Sequence, residues 1–431
     1  MQTLKIAVIG GGSSYTPELI EGIILRHQQI PVTELALVDV EAGREKVAII
    51  AALTQRMLKR HGLEQVKVSV HFGLDEAIRG AQFVLTQLRV GQLAARAADE
   101  RLGLKYHLLG QETTGVGGFA KALRTIPVML DFARDIEEVC PDAWFLNYTN
   151  PMAMLTGAML RLTNVKTVGL CHSVQVCASH LMQMLGMEYD DTVQWKIAGI
   201  NHQAWLLEIT KDGRDLYPEL KKRALEKNKE KHGDMVRLEL MRRFGYYITE
   251  SSEHNSEYTP WFIKDRYPEL IDRFNIPLDE YPRRCIHQIE DWKKRRDELI
   301  NDPHLSHTRT KEYASYIMEA METNRPYKIG GNVLNTNLPR NAVVEVPCLV
   351  DKSGVTPCYI GDLPEQCAAL NRTNINVQLL TIEAARTRKK DYIYQAALLD
   401  PHTASELDID TTIAMCDALI EAHGDWLPKF N

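Results

Sequence analysis

The sequence predicts an α/β protein in which a doubly wound parallel sheet is followed by a mainly helical α+β domain. Short apolar runs alternate with helix-like segments over about the first 170 residues, as in successive βαβ units. A glycine-rich turn separates the first apolar run from the first helix-like segment. Long helical stretches dominate beyond about residue 195. We therefore expect two domains, residues 1–195 and 196–431.

The elements of the first domain follow from hydrophobic runs and from helical spacing. Short apolar runs bounded by glycine or polar residues are typical of buried strands. Pro17 suits the first turn of a helix, because the N–H that proline lacks would have no partner there. Strands are predicted at residues 4–10, 34–39, 67–72, 82–88, 143–147 and 165–170, and helices at 17–27, 43–61 and 122–139.

The second half is predicted to be mainly helical. The apolar segment 342–350 predicts a strand, and therefore some antiparallel sheet. No internal repeat or low-complexity linker separates the two halves, so we expect them to share an interface. Helices are predicted at residues 218–245, 285–301, 309–323, 376–398 and 404–424, with polar loops at 249–260 and 330–340.

Composition and charge exclude several classes of protein. Of 431 residues, 45% are hydrophobic and 25% charged, as in an ordinary soluble protein. The net charge of −6 argues against a nucleic-acid partner, but an anionic substrate stays open because one arginine can bind a phosphate. We expect no signal sequence, and the sequence contains no apolar stretch long enough to span a membrane and no CxxC pair. We expect a cytoplasmic protein that binds neither membranes nor nucleic acids.

A Rossmann-type dinucleotide site is predicted at the end of the first strand. Gly10 and Gly12 would allow a tight turn and the close approach of a pyrophosphate to the helix N-terminus, although Tyr15 replaces the third glycine of the pattern. Asp39 ends the second strand, where a carboxylate binds the adenosine ribose and favours NAD over NADP. The alternative is a glycine turn beside a surface aspartate. The predicted cofactor-binding residues are Gly10, Gly12, Ser13, Ser14 and Asp39, the serines as hydroxyl donors.

Polar clusters lie where the predicted strands end, and open α/β sheets bind ligands at that edge. Asn147 and Asn150 follow a strand, and each either forms a turn or faces a ligand. Cys171 is either a buried inert thiol or a metal ligand, and His202 is either a structural residue or a second ligand. The clusters are residues 87–91, 110–118, 147–151, 171–172, 199–202 and 250–258, the last either a solvated loop or a packed one.

Taken in order, these motifs resemble glycoside hydrolase family 4, an NAD-dependent exception to hydrolysis by two carboxylates. The resemblance covers nearly the whole chain. The motifs are specific as a set, whereas each alone is weak. They are Gly10-Gly11-Gly12-Ser13, Asn147-x-x-Asn150-Pro151, Gly169-Leu170-Cys171-His172 and Gly199-Ile200-Asn201-His202.

The sequence resembles two specificity groups of that family. Residues 10–19, 87–91 and 110–113 look like the 6-phospho-β-glucosidases. Two of the α-galactosidase-like segments, residues 171–174 and 257–261, have more weight, because they line the sugar pocket in the family. The resemblance therefore implies hydrolysis of terminal α-galactosides such as melibiose. The α-galactosidase-like segments are residues 152–154, 171–174, 249–254, 257–261 and 423–428.

The resemblance implies a redox-assisted elimination. NAD oxidises C3 of the sugar, the resulting ketone acidifies the C2 proton, a base removes that proton, and the glycosidic oxygen leaves C1. Water then adds, and the hydride is returned to the sugar. A divalent metal ion, expected to be Mn²⁺, binds the C2 and C3 oxygens as a Lewis acid. By the same resemblance, Cys171 and His202 are the metal ligands.

The resemblance also implies roles for the remaining polar residues. Tyr258 is the candidate base, which the metal ion must tune because a phenol is a weak base at neutral pH. Glu112 is expected to orient Tyr258. His172 either protonates the leaving group or contacts a sugar hydroxyl. The predicted substrate-binding residues are Asn147, Asn150 and Arg89, and Arg89 contacts either a hydroxyl or a phosphate.

Three alternatives stay open at this point. A 6-phospho-glucosidase of the same family would require a phosphate on the sugar. An NAD-dependent hydroxy-acid dehydrogenase would accumulate NADH, and a non-catalytic NAD sensor would bind the nucleotide without hydrolysing any glycoside. The expected partner is a small glycoside, and the resemblance implies a homodimer or homotetramer.

Overall fold

The computed structural model describes residues 4–110, 112–278, 312–334 and 338–431, and six positions between 287 and 296. A single sheet of thirteen strands runs through these residues. The strands are β1 Leu4–Ile9, β2 Val32–Val38, β3 Lys67–His71, β4 Phe83–Thr86, β5 Trp144–Asn147, β6 Lys166–Leu170, β7 Val193–Ile200, β8 Gln203–Lys211, β9 Arg214–Asp215, β10 Tyr247–Ile248, β11 Tyr327–Leu334, β12 Val343–Asp351 and β13 Gly354–Pro357.

The first six strands form the parallel half of the sheet. Their order is β3-β2-β1-β4-β5-β6, with all neighbours parallel, which is the doubly wound order of a Rossmann domain. Strands such as β4, with four buried residues in succession, are apolar on both faces because helices cover both faces. The predicted α/β fold with a parallel sheet is confirmed.

Helices cover the sheet on both faces. One face packs on α1, α2 and α12, and the other on α5, α6 and α13. No helix within the described residues is long and apolar enough to cross a membrane. The helices are α1 Thr16–Leu25, α2 Arg44–Arg60, α3 Leu74–Ile78, α4 Gln92–Lys105, α5 Gly115–Val139, α6 Met152–Leu162, α7 His172–Met184, α8 Tyr217–Lys227, α9 Met235–Phe244, α10 Ser252–Glu257, α11 Glu269–Arg273, α12 Ala314–Thr323, α13 Glu365–Thr387, α14 Lys390–Leu399, α15 Pro401–Glu406 and α16 Ile409–His423.

An antiparallel extension continues the sheet beyond β6. The order is β6-β11-β12-β7-β8-β10, with every neighbouring pair antiparallel. Its register places Gly169, Asn332, Glu345 and Gly199 side by side across four adjacent strands. Because Cys171 lies two residues after Gly169, this row brings the end of β6 close to the β7–β8 turn.

Several boundaries differ from the sequence prediction. The predicted domain boundary at residues 195/196 lies inside β7, and the sheet continues through it. The predicted loop 330–340 contains the end of β11, because Gly330–Leu334 pair with β12. The predicted helix 218–245 is broken into α8 and α9, and 376–398 and 404–424 are likewise each two helices. Most of the predicted helix 285–301 and the start of 309–323 lie outside the described residues.

Candidate active site

The glycine turn between β1 and α1 contacts Asp39. Gly10 has φ +82°, and a Cβ at this position would overlap the carbonyl oxygen of Gln87. Gly12 N donates a 2.9 Å hydrogen bond to Asp39 Oδ2, and a Cβ on Gly12 would lie 2.7 Å from the same oxygen. The structure thus brings Gly10, Gly12 and Asp39 together. At both glycines only backbone atoms, and no side chain, face the turn.

Ser13 and Ser14 form the outer edge of this turn. Ser13 is half-buried, and its Oγ accepts a 3.3 Å hydrogen bond from Tyr15 N. Ser14 is exposed. The side chain of Tyr15, which replaces the third glycine, is 59% exposed. The side chain of Tyr15 therefore points to solvent and does not occupy the glycine turn.

Cys171, His202 and Glu250 form a compact cluster of potential metal ligands. One sulfur, one imidazole nitrogen and one carboxylate oxygen lie within 4.8 Å of one another. Cys171 follows β6, His202 lies in the β7–β8 turn, and Glu250 follows β10 by two residues. This donor set suits a first-row divalent ion. The structure brings together the two predicted ligands and adds a carboxylate that the sequence analysis did not single out.

The protein groups around Cys171 disfavour ionisation of its thiol unless a cation is nearby. Burial raises the pKa of the thiol to about 12, with a further contribution from the carboxylates of Glu345 and Glu250. Cys171 Sγ lies 3.2 Å from Ser173 Oγ, and the hydroxyl of Tyr313 bonds both the N–H and the carbonyl of Cys171. The backbone of Cys171 is thereby fixed, while a nearby cation is needed to stabilise its ionised sulfur.

Tyr258 is connected to His202 through Thr113. The buried phenol of Tyr258 donates a 3.0 Å hydrogen bond to Thr113 Oγ1, which lies 3.4 Å from His202 Nδ1. Burial raises the pKa of Tyr258 well above its usual value, and the Thr113 hydrogen bond partly opposes that rise. Glu112, the residue predicted to orient Tyr258, precedes Thr113, and Thr113 is the residue that bonds the phenol.

Glu112 lies in a buried group of cations. Its Oε1 accepts a 3.2 Å hydrogen bond from Arg89 and forms an ion pair with Lys121. Burial acts to raise the pKa of Glu112, but Lys121 and Arg89 outweigh it and hold that pKa well below its usual range. Burial likewise lowers the pKa of Lys121 to about 8, against the opposing effect of Glu112. Both groups are therefore ionised at neutral pH, and Arg89 is partnered by a carboxylate.

His172 is the first residue of α7 and packs between aromatic rings. Its imidazole stacks on Tyr148 at a centroid distance of 5.8 Å and meets Tyr313 edge-on at 6.0 Å. Its Nε2 is buried and has no hydrogen-bond partner among the described protein groups. Burial lowers the pKa of His172. The ring therefore has one nitrogen available for a ligand.

The two asparagines of the 147–151 cluster lie in different environments. Asn147 is fully buried, and its carboxamide bonds Thr86, Thr149 and Thr156. This saturated environment argues against the predicted contact between Asn147 and a substrate. Asn150 is half-buried, and its Oδ1 accepts a 3.2 Å hydrogen bond from Met152 N. Asn150 therefore remains the better candidate for a sugar contact.

Sequence reasoning missed Glu345, a fully buried carboxylate in β12. Its Oε1 accepts hydrogen bonds from Asn332 at 3.0 Å and from Asn201 at 3.2 Å. Burial raises the pKa of Glu345 to about 7, while the two asparagine bonds and nearby His202 oppose the rise. The signal was visible as a single acidic residue within the apolar strand 342–350.

The chain matches two descriptions of one family. Residues 5–187 match "Family 4 glycosyl hydrolase", and residues 197–403 match "Family 4 glycosyl hydrolase C-terminal domain". An α-galactosidase of Bacillus subtilis (strain 168) is 54% identical over 99% of this chain and 100% of its own length. A 6-phospho-β-glucosidase of Escherichia coli (strain K12) is 32% identical over 100% of this chain and 97% of its own length.

A solved structure has the same fold. A crystal structure of a 6-phospho-α-glucosidase from gut microorganisms in complex with NAD and Mn²⁺ aligns with a TM-score of 0.82 at 22% identity. The alignment covers 100% of each chain. At that identity, the likeness establishes the fold.

Proposed function

The chain belongs to family 4 of the glycosyl hydrolases, and from this premise we propose that it hydrolyses terminal α-galactosides with NAD and Mn²⁺. The proposal depends on one observation: Cys171, His202 and Tyr258 lie close together, and Thr113 lies between His202 and Tyr258. The α-galactosidase that is 54% identical along the whole chain supports the choice of sugar. Binding of NAD and Mn²⁺ by the 6-phospho-α-glucosidase supports the choice of cofactors.

The residues present fit both cofactors. The bare backbone at Gly10 and Gly12 and the carboxylate of Asp39 fit a dinucleotide, and a side chain at either glycine would overlap its neighbours. The sulfur of Cys171 and the imidazole of His202 fit a first-row divalent ion. When bound, NAD would supply reversible oxidation at C3 of the sugar. The metal ion would supply positive charge that favours ionised oxygens on the sugar and on Tyr258.

The chain's own residues then have distinct tasks. Tyr258 takes the proton from C2 at its phenolic oxygen, and Thr113 holds that oxygen in place. Asn150 hydrogen-bonds the sugar hydroxyls. His172 presents its buried Nε2 to the leaving oxygen or to a hydroxyl. Burial of Tyr258, which is 2% exposed, keeps bulk water away from the proton transfer.

The 6-phospho-glycosidase alternative depends on Arg89. In the structure, this guanidinium is paired with Glu112, and it shares that one carboxylate with Lys121. Asn147 is no longer part of the proposed sugar site. Glu112 is proposed to hold Arg89 and Lys121, and to fix the backbone that leads into Thr113.

A panel of nitrophenyl glycosides tests this proposal. The panel holds α- and β-anomers of galactose and glucose, with and without a 6-phosphate, assayed with NAD, Mn²⁺ and a thiol reductant. We expect turnover of the unphosphorylated α-galactoside and incorporation of solvent deuterium at C2. Faster turnover of a 6-phosphorylated glycoside would show that the protein is a 6-phospho-glycosidase instead. Retention of the C2 proton would exclude the elimination mechanism.

We also propose that the chain works in the cytoplasm as a homodimer or homotetramer. In this proposal residues 1–195 bind the nucleotide, and residues 196–431 supply the base Tyr258 and the metal ligand His202. The free thiols of the seven cysteines in the described residues support a reducing compartment. Light scattering on the purified chain tests the oligomeric state, and a monomer would contradict it.

A further inference from the structure

We propose that Glu250 is a third protein ligand of the divalent metal ion, completing a sulfur, nitrogen and oxygen donor set with Cys171 and His202. This inference rests on the proposed function, because it concerns the same metal ion. It goes beyond that function by assigning a ligand from the β10–α10 connection, where the sequence indicated only a polar segment.

The distances fit a shared ion better than a direct hydrogen bond. Glu250 Oε2 lies 3.5 Å from His202 Nε2, whereas a hydrogen bond between charged groups of these types is about 2.7–2.9 Å long. Two ligand atoms that each lie about 2.1 Å from one ion, at angles between about 90° and 110°, are about 3.0–3.4 Å apart. All three donor atoms of the cluster lie within 4.8 Å of one another.

The orientation of His202 agrees with this assignment. Its Nδ1 faces Thr113 Oγ1 at 3.4 Å, so its Nε2 is the nitrogen directed toward Glu250. Metal-bound histidines commonly use one ring nitrogen as the ligand and bond a second group through the other. Glu250 therefore lies on the ligand side of His202, and Thr113 lies on the supporting side.

The backbone holds Glu250 in an unusual conformation. Its φ is +68°, and that of His202 is +65°, although neither residue is a glycine. Thr249 is fixed before it by a 2.8 Å hydrogen bond from its N–H to the carbonyl of Ala204. Ser251 caps α10 directly after it. Such conformations persist where the surrounding structure enforces them, and they are concentrated at functional sites.

The chemistry of the donors explains what Glu250 would add. Sulfur and imidazole alone suit softer ions such as zinc, whereas a carboxylate oxygen shifts the preference toward Mn²⁺. Three protein ligands would still leave three positions of an octahedral ion for the substrate oxygens and water. The carboxylate would thus strengthen binding of the metal ion without blocking the sugar.

Mn²⁺ affinity of the full-length protein tests the inference independently of turnover. Free Mn²⁺ is titrated by electron paramagnetic resonance against the wild type, Glu250→Gln, Glu253→Gln and Cys171→Ser. Glu253 is the matched control, because it lies in the same segment and lines the same cleft. Loss of a supporting residue at a metal site typically weakens affinity by about 10–100-fold, so a ligand should cost at least tenfold. We expect that loss for Glu250→Gln and less than a twofold change for Glu253→Gln.

The outcomes separate this inference from the proposed function. Unchanged affinity in Glu250→Gln, with a large loss in Cys171→Ser, would overturn the third ligand and leave the proposed function standing. Unchanged affinity in Cys171→Ser would overturn both. A crystal structure of the Mn²⁺-loaded wild type needs no variant to fold. A distance of about 2.2 Å between Mn²⁺ and a Glu250 oxygen is expected, and one beyond about 3 Å would refute the assignment.

Discussion

Thr113 Oγ1 accepts a 3.0 Å hydrogen bond from the hydroxyl of Tyr258. The same oxygen lies 3.4 Å from His202 Nδ1, so a single hydroxyl connects the proposed base with a proposed metal ligand. When Tyr258 is ionised, the Thr113 hydroxyl can donate to the phenolate instead of accepting from the phenol. This relationship gives Thr113 a positioning role that no motif in the sequence indicated.

Thr113→Val should slow turnover without unfolding the protein. Valine keeps the shape of threonine but removes the hydroxyl, and a neutral hydrogen bond contributes about 0.5–1.5 kcal/mol. We expect kcat to fall by about 3- to 10-fold. Thr113→Ser restores the hydroxyl and should remain within about twofold of the wild type. A loss in kcat for the serine variant, with none for the valine variant, would show that the methyl group, not the hydroxyl, matters.

Glu112→Gln should destabilise the protein, because it leaves Lys121 buried without its carboxylate. Removal of one partner of a buried ion pair typically costs about 3–5 kcal/mol. Urea unfolding at pH 7 measures this loss. The Lys121→Met, Glu112→Gln double variant should recover part of it, since the buried ammonium group that lost its carboxylate is also removed. A double variant less stable than Glu112→Gln would contradict this account.

The same carboxylate predicts a dependence of stability on pH. Since the pKa of Glu112 is lowered in the folded state, its contribution is present above the unfolded pKa of about 4.3 and is lost as pH falls below it. The difference in Tm between the wild type and Glu112→Gln should therefore shrink as the pH falls from about 4.3 toward 3.5. A difference that grows on acidification would have the wrong sign.

Asp39→Asn should weaken NAD binding selectively. Asparagine retains an oxygen for the N–H of Gly12 but loses the charge that two ribose hydroxyls would share. A hydrogen bond to a charged group contributes about 1.5–3 kcal/mol, so the Kd for NAD should rise at least about tenfold, with a smaller loss for NADP. Glu41→Gln is the control, because Glu41 is an exposed neighbour paired with Arg44. Calorimetry that finds equal Kd values for Asp39→Asn and the control would remove Asp39 from the site.

Removal of the metal ion should abolish turnover reversibly. After dialysis against a strong chelator, we expect kcat to fall by at least about 100-fold and to return with Mn²⁺, because Lewis-acid stabilisation contributes several kcal/mol. Cys171→Ser should not be rescued by Mn²⁺ at the wild-type concentration. Cys358→Ser, at a half-buried thiol elsewhere, should behave as the wild type. Full activity in the chelated enzyme would exclude a metal role.

His172→Gln should discriminate between the two proposed roles of His172. If His172 protonates the leaving oxygen, loss of the imidazole should slow melibiose by about 100-fold or more and leave nitrophenyl galactoside nearly unchanged, since nitrophenolate leaves without a proton. Equal effects on kcat/KM for both substrates would assign His172 to a sugar hydroxyl instead.

Local patterns in the sequence predicted the parallel half of the sheet well. Its strands are covered on both faces, so they read as continuous apolar runs, and helices separate them at regular intervals. The antiparallel extension was harder to predict. Strands such as β7, with its buried end and partly exposed start, are only partly apolar, and their partners lie far away in sequence. The pairing of β7 with β12 joins residues 199 and 345, a relationship that no local window contains.

The sequence by itself predicted the glycine turn, the strands of the parallel sheet and, through resemblance, the site residues Cys171, His202 and Tyr258. Those features depend on neighbouring residues or on motifs of fixed spacing. Only the tertiary structure decided that Asn147 is a buried residue with its hydrogen bonds satisfied, and that Thr113 connects Tyr258 with His202. It also placed Glu250 with Cys171 and His202 in one cluster of potential metal ligands. The physical reason is that metal ligands and hydrogen-bond partners are selected by distance in space, which long-range strand pairing sets.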